Sequence, residues 1–290
     1  MVLFLLACLL GCLIPAVGFG AEPPPDLTTA LTLYNDCQYS AARKIFSTLA
    51  AAHPDDPGLN FYLGRLALWF NDDSQALACL QKAAQLAPTE ARIQNALGDA
   101  FGLAAQEAGL LSKFGWADKC LAAYRRAVEL EPGNPDFHWS LLCYYSMAPM
   151  IAGGSMSKAY AQAAEIRKLD PVGGRTAFAT LYLEDKRNAE AFAEFDGILG
   201  RQPDDYLALY QIGRCAALSG EQLGRGLTAL RRCLMLPRPA GVGIPREWNI
   251  HYRIGNILEK QGDTAGARRE YDLATKSNPD FRPAKEALKK

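Results

Sequence analysis

Proline punctuation constrains this chain more than any other feature. Pro54, Pro88, Pro132, Pro171, Pro203, Pro237 and Pro279 follow one another at spacings of 34, 44, 39, 32, 34 and 42 residues. Proline cannot donate the helical ladder bond and restricts the residue before it, so each one closes a helix. Punctuation at a near-constant spacing means one supersecondary unit copied along the chain. The spacings that exceed 34 mark insertions of 10, 5 and 8 residues.

The text between the prolines repeats as well. NFYLGRLALWFNDDSQALACLQKAAQLAP ends at Pro88, and HYRIGNILEKQGDTAGARREYDLATKSNP ends at Pro279. Each opens on an apolar-Gly pair, crosses a polar turn, runs through a second apolar period and stops at proline. The first-helix pair reads Leu63-Gly64, Leu97-Gly98, Leu141-Leu142, Phe178-Ala179, Ile212-Gly213 and Ile254-Gly255. Thr29-Ala30 stands in the first unit, the weakest match. The second-helix pattern reads Ala42/Phe46, Ala76/Leu80/Ala83, Cys120/Tyr124/Ala127, Ala159/Ala163/Ile166, Ala191/Phe195/Ile198, Gly226/Leu230/Cys233 and Ala267/Tyr271/Ala274. Residues three and four apart share a helix face. Small residues at the Gly and Ala positions let two antiparallel helices approach, and the larger residue four on is expected to fill the gap against the next unit. Asp55, Thr89, Asp204 and Asp280, each after a closing proline, suit N-caps of the helices that follow.

This pattern resembles the tetratricopeptide (TPR) repeat. The resemblance spans residues 26–280 and implies an all-α fold: a right-handed superhelical solenoid of about seven TPR-like helix pairs. One unit cannot bury its apolar face alone, and stacking makes the core. FRPAKEALKK at 281–290 reads as a short charged capping helix.

Insertions in such arrays map to loops, often on a binding face. The longest, Gly102–Trp116, is expected to lengthen a first helix and its turn, with Gly109 and Gly115 as punctuation. The second, Ala148–Ala159, holds Gly153-Gly154-Ser155 before a helix start, with Ser155 or Ser157 as N-cap. It lacks the frame of a phosphate loop. Together with the following Leu169-Asp170-Pro171 it is similar to a subgroup of exported bacterial TPR proteins, a resemblance that brings no enzymatic activity. The third, Pro237–Glu247, is a Pro/Gly loop.

Residues 1–21 contain no charged residue, and the first is Glu22. The run VLFLLACLLGCLIPAV and the small residues after it fit a cleaved signal peptide. A membrane anchor also fits, since about 20 apolar residues span a bilayer. Leu9-Leu10-Gly11-Cys12 resembles a bacterial lipobox. All three readings place the body outside the cytosol, in a periplasm or cell envelope. Residues 22–25 read as a Pro-rich spacer.

Composition excludes other classes. With 49% hydrophobic residues and no net charge, the chain is not disordered and lacks the basic footprint of a nucleic-acid binder. His53, His138 and His251 read as surface or packing residues, and no H-E-x-x-H, C-x-x-C or G-x-S-x-G occurs. No catalytic residue, cofactor or metal is expected. Cys37, Cys79, Cys120, Cys143, Cys215 and Cys233 read mostly as small buried hydrophobes, with Cys215 and Cys233 a pair to test for a disulfide.

The TPR resemblance implies a concave groove lined by first-helix positions. Carried over residue by residue, these are Phe61, Arg65 and Trp69; Arg92, Asn95 and Asp99; Trp139 and Cys143; Tyr210 and Arg214; and Tyr252, Asn256 and Lys260. Aromatics and arginines are the types enriched at binding hot spots. Asn256 and Lys260 match two positions of the family's dicarboxylate clamp, but Tyr252 stands where the first Lys belongs, so that function is not carried over. The expected function is an exported scaffold for a protein or peptide partner, with membrane association only through the N-terminus. Two alternatives are a self-associating structural subunit and an enzyme or small-ligand receptor using the Gly153–Ser155 loop and the longest insertion.

Overall fold

A computed structural model describes residues 25–240 and 244–289. The leader at 1–21, with Cys8 and Cys12, and spacer residues 22–24 lie outside the described residues. Pro25 opens a helix rather than ending the spacer.

The described residues are helical, without a strand. The helices run α1 (Pro25–Asn35), α2 (Tyr39–Ala52), α3 (Pro57–Phe70), α4 (Asp73–Leu86), α5 (Ala91–Glu107), α6 (Leu110–Leu130), α7 (Pro135–Met147), α8 (Met156–Leu169), α9 (Pro171–Glu184), α10 (Asn188–Leu199), α11 (Tyr206–Ser219), α12 (Leu223–Met235), α13 (Glu247–Lys260), α14 (Thr264–Ser277) and α15 (Arg282–Ala287). A 3₁₀ turn, Met150–Ala152, sits between α7 and α8. Each odd-numbered helix from α1 to α13 packs chiefly on its successor, which yields the expected TPR-like pairs. The residues up to Asp170 form one compact unit and those from Pro171 a second.

The repeated small residues do what close approach requires. A Cβ on Gly64 would sit 2.5 Å from Leu80 Cγ, and one on Gly98 would sit 2.5 Å from the Tyr124 ring. Gly213 faces Leu230 and Gly255 faces Tyr271 in the same way. The larger second-helix residue therefore seats on the glycine of its own pair. It does not serve only the next unit, as the spacing suggested, although Leu80 also joins a core with Ile93 and Ala96 of α5.

The prolines act as punctuation with one exception. In most units the second helix ends two residues before the proline, as at Leu86, Ala87 and Pro88. α10 ends four residues before Pro203, at Leu199, and Pro171 both follows α8 and begins α9 directly after Asp170. The prolines' carbonyls are also used. Asn60 Nδ2 donates to Pro54 O at 2.8 Å, and Gln94 Nε2 to Pro88 O at 3.1 Å. His138 Nε2 meets Pro132 O at 2.9 Å. A side chain six residues on thus ties the turn to the next helix.

The N-caps lie one residue later than the sequence suggested. Asp56, not Asp55, accepts from Leu59 N at 2.9 Å, and Asp205, not Asp204, accepts from Ala208 N at 2.8 Å. The turn after the proline needs one more residue before the helix can begin. The displaced acids reach across their pairs instead, Asp55 to Lys82 at 3.0 Å and Asp204 to Arg232 at 2.7 Å. Glu90 and Phe281, not Thr89 and Asp280, stand at the starts of α5 and α15, without a side-chain cap.

The longest insertion extends both helices of its pair, α5 to 17 residues and α6 to 21. The turn stays short, and Gly115 lies inside α6, where nothing interrupts the ladder; Gly109 is the N-cap. Ser155 caps α8, accepting from Lys158 N at 3.4 Å.

Candidate binding surface

The residue after each first-helix pair forms a column within each unit: Arg65, Asp99 and Cys143 in the first, and Thr180, Arg214 and Asn256 in the second. In the first unit Arg65 Nη1 lies 3.6 Å from Asp99 Oδ2, with both side chains almost wholly enclosed. Tyr124 Oη donates to Asp99 Oδ1 at 2.8 Å, and Arg65 Nε donates to Tyr34 Oη at 3.4 Å. Burial holds the Asp99 carboxyl above the ordinary carboxylate range, although Arg65 and the Tyr124 hydroxyl pull it down. In the second unit the same column is neutral on one side. Arg214 Nη2 donates to Thr180 Oγ1 at 3.2 Å.

The aromatic groove positions are also enclosed. The Trp69 ring packs on Tyr39 with centroids 4.7 Å apart, and Arg92 lies over Phe61 at 5.4 Å. The space between Tyr34, Tyr39, Arg65, Leu66 and Trp69 is about 10 Å³, too little for more than one water. Tyr210 is buried, and Tyr252 meets Phe281 ahead of α15 at 5.4 Å. Asn95 is buried too, and its Oδ1 has no hydrogen-bond partner. Arg92 is largely enclosed as well, paired with Glu90 at 3.6 Å, so what remains partly open on the groove line is Trp139 and Asn256, with Lys260 exposed. Cys143 is also partly open. Asn256 Nδ2 donates to Tyr271 Oη at 3.0 Å, and that hydroxyl donates to Glu259 Oε2 at 2.9 Å. The sequence pattern identifies the column, but it cannot say which members the neighbouring helix covers.

The 3₁₀ turn packs on α6, and Tyr144 Oη reaches both Ala152 O of the turn and Ala117 O, one residue past the longest insertion. His138 is buried on α7. Its ring is held by Pro132 O and, at 2.7 Å, by the Gln162 side chain. His53 is exposed, and His251 Nδ1 lies 2.7 Å from Glu270 Oε2. In the second unit a cleft of about 520 Å³ opens between Gln202–Tyr206 and the start of the Pro/Gly loop. Among the described residues no three His, Cys, Asp or Glu side chains cluster as a metal site would need.

The described cysteines are free thiols. Cys215 Sγ points to Ala191 O at 3.9 Å and Cys233 Sγ to Tyr206 O at 3.4 Å, so this pair is not a disulfide. Burial pushes the Cys215 thiol up to about 11 and the Cys233 thiol up to about 12. Neither is a reactive thiolate at neutral pH. Cys37, Cys79 and Cys143 are only partly covered, against the expectation of burial for most.

Two tetratricopeptide repeat models match the chain, over residues 36–100 and 249–281. No curated protein matches by sequence. A thermophilic TPR protein of Thermus thermophilus aligns at 24% identity and TM-score 0.57, covering 67% of this chain and 96% of its own. A TPR protein of Parabacteroides merdae aligns at 14% identity and TM-score 0.56, covering 91% and 96%. A structure of the Cut9–Hcn1 hetero-tetramer aligns at 10% identity and TM-score 0.51, covering 91% and 48%. These likenesses establish the fold. Family matches over residues 36–100 and 249–281, together with the glycine-seated helix pairs at Gly64, Gly98, Gly213 and Gly255, identify a tetratricopeptide repeat protein.

Proposed function

We propose that the protein is a non-enzymatic scaffold of the cell envelope. It holds a protein or peptide partner against the residues its groove line leaves open. The observation that carries this is the state of the column. Its buried members are engaged between repeats, while Trp139 and Asn256 stay partly open and Lys260 is exposed, with the aromatic and polar chemistry of an interface. Aromatic burial by a partner supplies affinity, and the polar members supply orientation. The uncharged run at 1–21 supports export. No described helix is long and apolar enough to cross a membrane.

The test is crosslinking in the native envelope with the full chain, comparing wild type with Trp139→Ala and Lys260→Ala. Both sites are open enough to change without opening the core, which circular dichroism verifies. Loss of the same crosslinked species in both variants supports the reading. An unchanged set of species overturns it.

A further inference from the structure

We propose that the 3₁₀ turn Met150–Ala152 is a membrane-contacting tip that inserts into the interface of an anionic bilayer. The turn is a rigid device for showing two large apolar side chains to solvent. Met150 is 88% exposed and Ile151 79%. Met147, just before the turn, and Phe114 on the neighbouring α6 are exposed as well.

The backbone beneath them is fixed from several sides. Ala152 N donates to Pro149 O at 2.8 Å, Gly153 N to Met150 O at 2.9 Å and Gly154 N to Pro149 O at 3.1 Å. Ser155 N donates to Tyr145 O at 2.8 Å. Tyr144 Oη donates to Ala152 O at 2.6 Å and lies 3.1 Å from Ala117 O of α6. Gly153 takes φ +85°, and a Cβ on Gly154 would collide with the Ala148 carbonyl, so both positions demand glycine. A turn that simply joined two helices would need none of this to hold Met150 and Ile151 outward.

The same bonds favour lipid as the occupant. An interfacial tip places side chains, not backbone, among the acyl chains, and the four bonded N–H groups after Ile151 hold the turn that presents them. Two exposed lysines stand on the helices next to it, Lys158 on α8 over Tyr145 at 5.5 Å and Lys119 on α6 over Trp116 at 4.3 Å and Phe101 at 6.0 Å. Neither is paired with a carboxylate among the described residues, while Asp118 is an exposed acid in the same stretch. Apolar side chains rimmed by lysine are the arrangement that combines insertion with attraction to anionic headgroups. The proposal draws on the membrane-directed reading of residues 1–21 only for bringing a bilayer within reach.

The test uses the full chain with phosphatidylglycerol/phosphatidylcholine vesicles whose acyl chains carry bromine, a contact quencher of tryptophan. Ile151→Trp is compared with Met235→Trp, which replaces a residue 75% exposed in the second unit. An interfacial tip gives a roughly twofold loss of the added emission in Ile151→Trp and none in Met235→Trp. That loss shrinks when Lys119→Gln and Lys158→Gln are added or when phosphatidylglycerol is omitted. Equal behaviour of the two tryptophans overturns the tip. Sedimentation with vesicles without quenching at 151 also overturns it, while leaving the N-terminal run as the membrane element. Absence of all vesicle binding overturns both.

Discussion

The two units solve one packing problem in different ways. At the position after the apolar-Gly pair, neighbouring first helices must meet. In the first unit they meet through Arg65 and Asp99, a buried ion pair whose acid also takes the Tyr124 hydroxyl. In the second they meet through Arg214 and the Thr180 hydroxyl, which itself donates to Thr176 O at 2.8 Å. Arginine is common to both, and the group it meets at that position is a carboxylate in the first and a hydroxyl in the second. The energetic content of an arginine in this column is thus set by what it faces, not by its place in the repeat. A buried charge left without its partner is costly, whereas a hydroxyl with a second acceptor is not.

The largest predicted effect breaks this comparison directly. Arg65→Met strands the Asp99 carboxylate and costs about 3–5 kcal/mol at neutral pH. Arg214→Met leaves the Thr180 hydroxyl with its own acceptor at Thr176 O and costs less, about 1 kcal/mol. Urea unfolding followed through Trp69 for the first unit and Trp248 for the second measures both. Equal losses would refute the distinction. The sign of the pH dependence adds a second check. Asp99 titrates above its ordinary value in the fold, so between those two values the folded chain binds more protons than the unfolded one. Its contribution to stability therefore weakens as pH rises through that window and is fullest below it. Removing Arg65 widens the window upward. The deficit of Arg65→Met relative to wild type accordingly shrinks as pH falls and Asp99 takes up its proton. Asp99→Asn in the Arg65→Met background recovers most of the loss and abolishes that pH dependence.

A pair of glycines sharpens the comparison by serving as its control. Gly64 faces Leu80 in the first unit and Gly213 faces Leu230 in the second, with the same filler in each. Gly64→Ala and Gly213→Ala each force a Cβ into an occupied site and cost about 1–3 kcal/mol through overpacking. The losses match if the units differ only at the column. A large disparity in denaturant midpoints would show instead that one unit is softer throughout.

These contrasts also show what was legible in the sequence. Glycine and alanine at helical spacing, closed by proline, specify the pairs because close approach admits no alternative residue there. The signature positions of the second helices are buried except Ile198, which is half-covered. The groove line was legible as a column but not as a surface. Whether Trp69 or Trp139 is open depends on which ring lies across it, and Tyr39, the partner that covers Trp69, is 30 residues away. Asp99 read as a groove acid for the same reason, since nothing local announces Arg65 and Tyr124. The insertion at Gly102–Trp116 was legible in length but not in form. Glycine inside a helix costs little enough that Gly115 does not break α6.

The smallest predicted effect concerns the caps, where both units follow one rule. Asp56 and Asp205 accept backbone bonds at helix starts, while Asp55 and Asp204, one residue earlier, make exposed ion pairs. Replacing an aspartate N-cap by alanine costs about 1 kcal/mol, because a backbone N–H loses its acceptor. Asp56→Ala and Asp205→Ala should each show that loss by urea unfolding, and by similar amounts. Asp55→Ala and Asp204→Ala should show less, since solvent and salt already screen those pairs, and what they lose should diminish at high ionic strength. The cap losses should not respond to salt in this way. If Asp55→Ala proved the costlier of the first pair, the helix register of α3 would be one residue earlier, and the column that places Arg65 opposite Asp99 would shift with it.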